Sequence, residues 1–312
     1  MTKQTGLLRQ NLNHYFLLGI LVVFSACSSK DYTSYIDPNI GSVATLLTTK
    51  NPTVHRPHSM VRVFPLTRPR LNDRYLSDKI YGFAFNMPAY RMGTVTELMP
   101  TQGKIALSQD KNASGYDHDM EEVHPWFHQV LLEDHDITAA WTTTERTVLY
   151  RFNFSQKDSC NLIFRSADQA SFAIRNENSI SGWEEFKDMK QYFYAEFSQP
   201  FTESGTFTKD KPDPGVKEQT GLRTGVFVSY LKLNEPVTVK IGISYISEEQ
   251  AKENLQKETS GKDFDQVKEE SHQKWEAAIN RIKVEGGTER QKRIFYTCLY
   301  RASERMVDIS EY

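Results

Sequence analysis

The chain has 312 residues, 38% of them hydrophobic and 12% aromatic, enough to bury a substantial core and to hold two domains. Its 38 basic and 40 acidic side chains leave a net charge of −2, which excludes a polybasic surface built for nucleic acid. Three cysteines, none in a Cys-x-x-Cys spacing, suggest neither a metal finger nor redox chemistry.

The chain opens with an export signal. Lys3 and Arg9 precede an apolar run of ten residues, Tyr15 to Phe24, too short to cross a hydrocarbon layer of roughly 30 Å as a helix. The run ends in FSAC, which resembles the lipobox of bacterial lipoproteins, so Cys27 is expected to be lipidated and to become the first residue. An ordinary cleaved signal peptide is the alternative. The SSKD that follows is similar to the short surface-export tag of Bacteroidetes lipoproteins, which leaves the periplasmic and cell-surface sides both open. Removing residues 1–26 takes two bases and no acid, moving the net charge from −2 to −4. Of the other two cysteines, Cys160 lies in a strand-like run and Cys298 on a helix, and both are expected to be buried small apolar residues.

From about Tyr32 to Ser244 the pattern is strand-like. The runs at 61–66, 80–85, 104–108, 126–133, 137–144, 146–154, 161–166, 191–197, 225–231 and 237–244 are short and rich in β-branched and aromatic residues. Between Gln191 and Phe197 the alternation is strict, with Tyr192, Tyr194 and Glu196 on one face and Phe193, Ala195 and Phe197 on the other. About ten such runs with no helical pattern between them predict an antiparallel β-sandwich over 32–245. The polar stretch 202–221 reads as a long surface loop or hairpin tip.

At Ser247 the period changes to 3.6. Ser247 with Gln250, Asp263 with Gln266 and Thr288 with Gln291 each read as a capping box, which predicts helices over 247–259, 263–280 and 289–306, with IKV (282–284) as a brief strand. The last helix carries two apolar stripes, one of Ile294, Phe295, Cys298, Leu299, Ala302 and Met306 and one of Tyr296, Tyr300 and Val307. A helix apolar on two sides expects partners on both. Few residues follow it and no Gly or Pro stop appears, so 246–312 are expected to begin a helical domain that continues beyond Tyr312.

Several motifs invite chemistry. Residues 110–121 fit a calcium-loop pattern through Asp110, Asn112, Ser114, Gly115 and Glu121, but the preceding run is strand-like and the usually apolar slot holds Asp117, so an acidic solvated turn is the better reading. His118, His124 and His128 lie among Asp117, Asp119, Glu121 and Glu122. The spacing of His124 and His128 suits a zinc helix, but Pro125 between them argues against one. Trp126, Trp141 and Trp183 could stack on sugars, with Trp141 expected in the core. There is no nucleophile elbow, phosphate loop or dinucleotide fingerprint, and sequence alone pairs no two carboxylates at a glycosidase separation.

The order of blocks resembles the N-terminal part of glycoside hydrolase family 92, the calcium-dependent exo-acting α-mannosidases. YIDPNIG (35–41), HRPHSMVRVFP (55–65), IYGFAFNMP (80–88) and the progression 116–152 carry the likeness, and VKIGISYISEEQAKENL (239–255) and WEAAINRIKVEGGTERQKRIFYTCLYR (275–301) are its most specific stretches. The resemblance covers about 32–312. It implies a β-sandwich followed by linker helices that begin an (α/α)₆ barrel, inverting hydrolysis of α-mannoside glycans, and a calcium ion whose ligands, with the catalytic carboxylates, are expected beyond residue 312. No catalytic residue and no bound metal is therefore assigned to this chain. The sandwich would lend loops to a sugar pocket through Arg56, His58, Asn86 and Tyr90. The chain departs from the family where a Phe-Gly-Met turn reads His58, Ser59, Met60, and where a segment with two histidines reads Ala84 to Ala89 without either. A surface glycan-binding or structural sandwich that lacks catalysis is the alternative, and the two-striped last helix argues against it.

Overall fold

The computed structural model describes residues 31–44, 49–68, 77–88, 93–156, 158–213 and 215–312. The expected leader, Cys27 and Tyr90 lie outside these residues. No described helix is long and apolar enough to cross a membrane.

The described residues form seventeen strands. In chain order they are β1 (Pro65–Thr67), β2 (Lys79–Asn86), β3 (Val95–Gln102), β4 (Ser114–Gly115), β5 (Glu122–His124), β6 (Phe127–Leu132), β7 (Ile137–Thr143), β8 (Thr147–Phe154) and β9 (Cys160–Arg165). There follow β10 (Gln169–Asn176), β11 (Ser179–Phe186), β12 (Met189–Phe197), β13 (Glu203–Thr208), β14 (Lys211–Asp213), β15 (Glu218–Leu222), β16 (Thr224–Tyr230) and β17 (Val237–Ser244). One sheet runs β1-β2-β3-β9-β16-β13-β14, with β4 beside β2, and the other runs β15-β10-β11-β12-β17-β8-β7-β6-β5. The pairings within both sheets are antiparallel, as the alternating sequence requires.

The main core lies between the sheets. Phe83, Phe85, Leu98, Phe164, Val226 and Val228 of the first sheet meet Trp141, Tyr150, Phe152, Phe193, Val239 and Ile241 of the second. Burying each such side chain contributes roughly 1.5–3 kcal/mol. The alternation read in 191–197 holds: Phe193, Ala195 and Phe197 face the core, and Tyr192, Tyr194 and Glu196 are only half-buried on the other side.

Four helices follow the chain. The short α1 (Gln109–Asn112) lies against β2, and α2 (Glu248–Thr259), α3 (Phe264–Ile279) and α4 (Glu289–Ala302) come after the last strand. Helix α2 lies on β17, β12 and β8. The approach is so close that a Cβ at Gly242 would sit 2.2 Å from the Ala251 carbonyl oxygen, so only glycine is tolerated there. A second core forms outside that sheet, where Phe127, Ala140 and Leu149 meet Phe264, Val267, Trp275 and Ile279 of α3 and Tyr296 and Tyr300 of α4.

The structure departs from the sequence reading in several places. The stretch 202–221 is not a loop: it carries β13 and β14, which form a hairpin, and most of β15, with β14 and β15 at the sheet edges. Strands β3, β10 and β11 also went unread, because Thr, Ser, Glu and Gly interrupt their apolar runs. The run 104–108 forms no strand and leads instead into α1. IKV (282–284) is not a strand, and the Val284 N–H donates to the Tyr296 hydroxyl. The boxes at Asp263 and Thr288 close as expected, but Ser247 makes only half of one, since the Gln250 side chain turns to Asn254. Helix α4 stops at Ala302, and the backbone turns there to meet the loop around His58. Its Tyr296–Tyr300 stripe finds partners within the chain, whereas the stripe of Ile294 and Cys298 stays open. Cys298 is thus exposed rather than buried, and Cys160 is buried as expected.

Candidate functional site

Three segments converge at one end of the sandwich: the loop 55–62, the end of β2 at 86–88, and the turn after α4 at 303–308. Arg62 ties them together. Its backbone N–H donates to the Asn86 Oδ1 at 3.0 Å, and its guanidinium donates to the carbonyls of Met87 (2.7 Å), Pro88 (2.6 Å) and Glu304 (3.2 Å). Sequence reasoning passed over Arg62, because a strand-like run offers no sign that one of its cations will turn inward.

Asn86 is wholly buried. Besides accepting from Arg62, it donates through Nδ2 to Gln191 (3.0 Å) and to the Tyr245 hydroxyl (3.2 Å). All three bonds are internal, and the side chain holds the loop end in place.

Arg56 is also buried, at 5% exposure, and clasps α3 to the loop. Its guanidinium donates to Glu145 (2.8 Å) and to the Ser271 hydroxyl (3.0 Å), and it lies 3.5 Å from the Glu270 carboxylate. The neighbouring His55 is fully buried between Trp275 and Tyr300, with ring centroids 5.1 and 5.3 Å away. Burial pushes its pKa down to about 4, so the ring is neutral at physiological pH. Its Nδ1 lies 2.9 Å from the Arg56 carbonyl and must carry the proton there, because a carbonyl only accepts.

His58 is the exposed member of the group. Its φ of 62° is left-handed, which turns the backbone sharply so that both of its polar groups face the C-terminal segment. The His58 N–H donates to the Ser303 carbonyl at 2.9 Å, its carbonyl accepts from the Asp308 N–H at 2.9 Å, and its Nδ1 donates to the Arg305 carbonyl at 2.9 Å. The Nε2 edge remains open to a ligand. The structure therefore places Arg56 and His58 on one loop, which Arg62 joins to Asn86, but exposes only His58.

The other candidate motifs resolve into different contacts. Asp110 lies in α1 and pairs with Arg68, Asn112 donates to the Ala106 carbonyl, and Ser114 and Gly115 form a strand, so the calcium-loop pattern builds no loop around an ion. His124 and His128 sit on the paired strands β5 and β6, not on a helix. His118 and His128 both bond Glu121, at 3.2 and 3.1 Å, and His124 stacks on Trp126. Trp126 is sandwiched between His124 and His272, Trp141 stacks on His128 in the core, and Lys190 covers the half-buried Trp183. None of the three offers a free sugar platform.

Among the described residues, one group of three metal-type side chains lies within mutual reach: Asp31, His272 and Glu276, with ligand atoms within 4.8 Å of one another. A histidine nitrogen with two carboxylates does not suit calcium, which takes about six to eight oxygens. His272 also already meets Thr33 Oγ1 at 3.2 Å and Asp31 at 3.4 Å.

The comparisons with known proteins agree with this architecture. Residues 35–244 match the family model of the glycosyl hydrolase family 92 N-terminal domain, and residues 250–312 match that of the family 92 catalytic domain. Among solved structures, a family GH92 inverting mannosidase from Bacteroides thetaiotaomicron VPI-5482 superposes with a TM-score of 0.80 at 22% identity, covering 88% of this chain and 39% of that one. A family GH92 α-mannosidase from Bacteroides thetaiotaomicron gives 0.81 at 22% identity, covering 90% of this chain and 42% of that one. The latter was also solved with mannoimidazole, and that complex superposes at 0.79. At this identity the likeness shows the fold. The chain spans about two fifths of the length of these structures. No curated protein matches it.

Proposed function

The chain belongs to glycosyl hydrolase family 92, and on that premise we propose that it supplies the N-terminal sandwich and barrel-entry helices of an exo-α-mannosidase that hydrolyses α-mannoside glycans with inversion. The observation that carries the reading is helix α4. It is capped, anchored by two fully buried tyrosines, and still presents Ile294, 45% exposed, and Cys298 on its outer side. Further helices of an (α/α)₆ barrel would cover such a face.

The sandwich contributes to the sugar site through the loops that Arg62 gathers. His58 is the side chain able to touch a sugar there, and Arg56 and Asn86 position the loops that carry it. Tyr90, which follows the 86–88 segment, is assigned to the same pocket. Inverting hydrolysis needs a general acid and a general base about 6.5–9.5 Å apart with water between them. We assign that pair and the calcium ligands to the part of the catalytic domain beyond residue 312, of which residues 250–312 match only the start. When bound, calcium would help distort the sugar and orient the water. No step of the reaction is assigned to a residue described above.

Residues 1–26 are read as a lipoprotein signal and Cys27 as the lipidated residue, which would hold the protein to a bacterial membrane on its periplasmic or outer surface. Labelling with a fatty acid that is lost in Cys27→Ser tests this anchor.

The purified chain should turn over no aryl α-mannoside, with or without calcium, and should bind mannose no better than millimolar, since half a pocket leaves much of the sugar in water. Calcium-dependent hydrolysis that a carboxylate substitution within residues 27–312 abolishes would place the active site in the sandwich and overturn the proposal. Tight glycan binding without turnover would favour a binding module instead.

A further inference from the structure

The outer face of the first sheet carries a polar cavity, which shares no residue with the loops around His58. Leu98, Phe164 and Val226 point into the core, so their strand neighbours Glu97, Arg165 and Gly225 point away from it. These three and Phe207 stand side by side across four strands: Glu97 pairs with Arg165, Arg165 with Gly225, and Gly225 with Phe207. Gly225 leaves room for the aromatic ring, since a Cβ there would come within 2.3 Å of Phe207 Cζ. The row floors a cavity of about 350 Å³, walled by Arg68, Gln109, Asp110, Asp210 and Arg223.

Arg165 is the unusual member. Its side chain is 10% exposed, yet its guanidinium is only loosely met, with Nε 3.3 Å from Glu97 and Nη1 3.7 Å from Asp210. Its Nη2 is buried and has no hydrogen-bond partner among the described residues. A buried guanidinium N–H left unbonded is costly, and the paired oxygens of a carboxylate or phosphate are the acceptors whose geometry matches it. The other two cations are already engaged, Arg68 by Asp110 and Gln109, and Arg223 by Asp210 at 3.9 Å.

We propose that this cavity binds a small anionic sugar, with a carboxylate or phosphate seated on Arg165, the Phe207 ring forming the apolar wall, and Arg68 and Arg223 guarding the mouth. Three guanidiniums face three carboxylates, so the charge of Glu97 decides whether an anion is welcome. Burial pushes the Glu97 carboxyl up to about 7 despite Arg165, the hydrogen bond from Gln109 and Arg68, with Glu184 adding to the rise. Asp110 and Asp210 are the remaining acids at the cavity. When Glu97 is neutral, one positive charge is left over for the ligand.

Calorimetric titration of the full chain with D-glucuronate, mannose 6-phosphate and neutral mannose tests the site. The expected result is saturable binding of at least one acidic sugar at pH 6 and none of mannose, and the two acidic probes distinguish the carboxylate from the phosphate. Glucuronate should bind about tenfold more weakly at pH 8 than at pH 6, the ratio of neutral Glu97 at the two values for a pKa near 7. Glu97→Gln should remove that pH dependence, and Arg223→Ala, at an exposed position, should weaken binding without unfolding the sheet. Failure of both acidic sugars to bind at pH 6, or binding that neither substitution changes, overturns the proposal.

Discussion

The two sheets share one alternating pattern, yet their outer faces meet different fates. On the second sheet the outward residues are small or apolar at the centre, Gly242, Ala140 and Leu149, and helices settle directly on them. Its outward charges reach the same helices: Lys240 donates to the carbonyls of Thr259 and Lys262, and Arg151 pairs with Asp265 at 2.8 Å. On the first sheet the outward row is Glu97, Arg165, Gly225 and Phe207, no long helix among the described residues covers it, and a polar cavity remains. An outward glycine thus has two uses. Gly242 admits a helix backbone, and Gly225 admits an aromatic ring.

Buried carboxylates repeat the contrast. Glu97, on the first sheet, is pushed up to about 7 because burial outweighs its partners. Glu121, just before the edge strand of the second sheet, is also raised by burial, but hydrogen bonds and charge from His118 and His128 overcome this and hold it at about 2.

The largest expected break in this comparison is Trp275→Ala. The side chain is fully buried under the second sheet and donates to the His55 carbonyl at 2.6 Å. Its loss should cost about 3–5 kcal/mol in denaturant unfolding and loosen α3 and α4, while leaving the sheet-to-sheet core in place. An unchanged midpoint would mean that the helical layer contributes nothing to the sandwich.

Acid titration should separate the two carboxylates. Glu121, lowered from 4.5 to about 2, contributes stability that is present above pH 4.5 and lost as the pH falls toward 2, on the order of 3 kcal/mol for its nearly buried side chain. Glu121→Gln should flatten that acid limb. Glu97 has the opposite sign: its raised pKa costs stability as the pH climbs from 4.5 through 7, so Glu97→Gln should stabilise the protein at pH 8 and change little at pH 4. Thermal unfolding at pH 2, 4 and 8 decides both.

Gly242→Ala should cost about 1–3 kcal/mol by driving a methyl into the Ala251 carbonyl and forcing α2 off the sheet. If the melting temperature stays put, the helix is free to shift and the close approach is not needed. The smallest effect is expected from Asp265→Asn, which breaks the largely exposed pair with Arg151 and should change stability by about 0.2–1 kcal/mol, less at high salt.

Much of this protein was legible in its sequence. Strict alternation gave the faces of 191–197, a change of period after Ser244 gave the helices, and two Thr/Asp–Gln pairs gave complete caps. These features are local, set by the geometry of a strand or a helical turn, and neighbours in the chain suffice to express them. The tertiary structure decided the rest. It turned the polar stretch 202–221 into strands at and next to the sheet edges, because hydrogen bonds to β16 and β10 replaced the apolar pattern as the reason to extend. It buried Asn86 and Arg56, exposed His58 and Cys298, and made Arg62 the centre of the loops, since burial depends on which distant segment arrives opposite. It also placed Glu97 beside Arg165, residues 68 apart in the chain, through a register that only the paired strands fix.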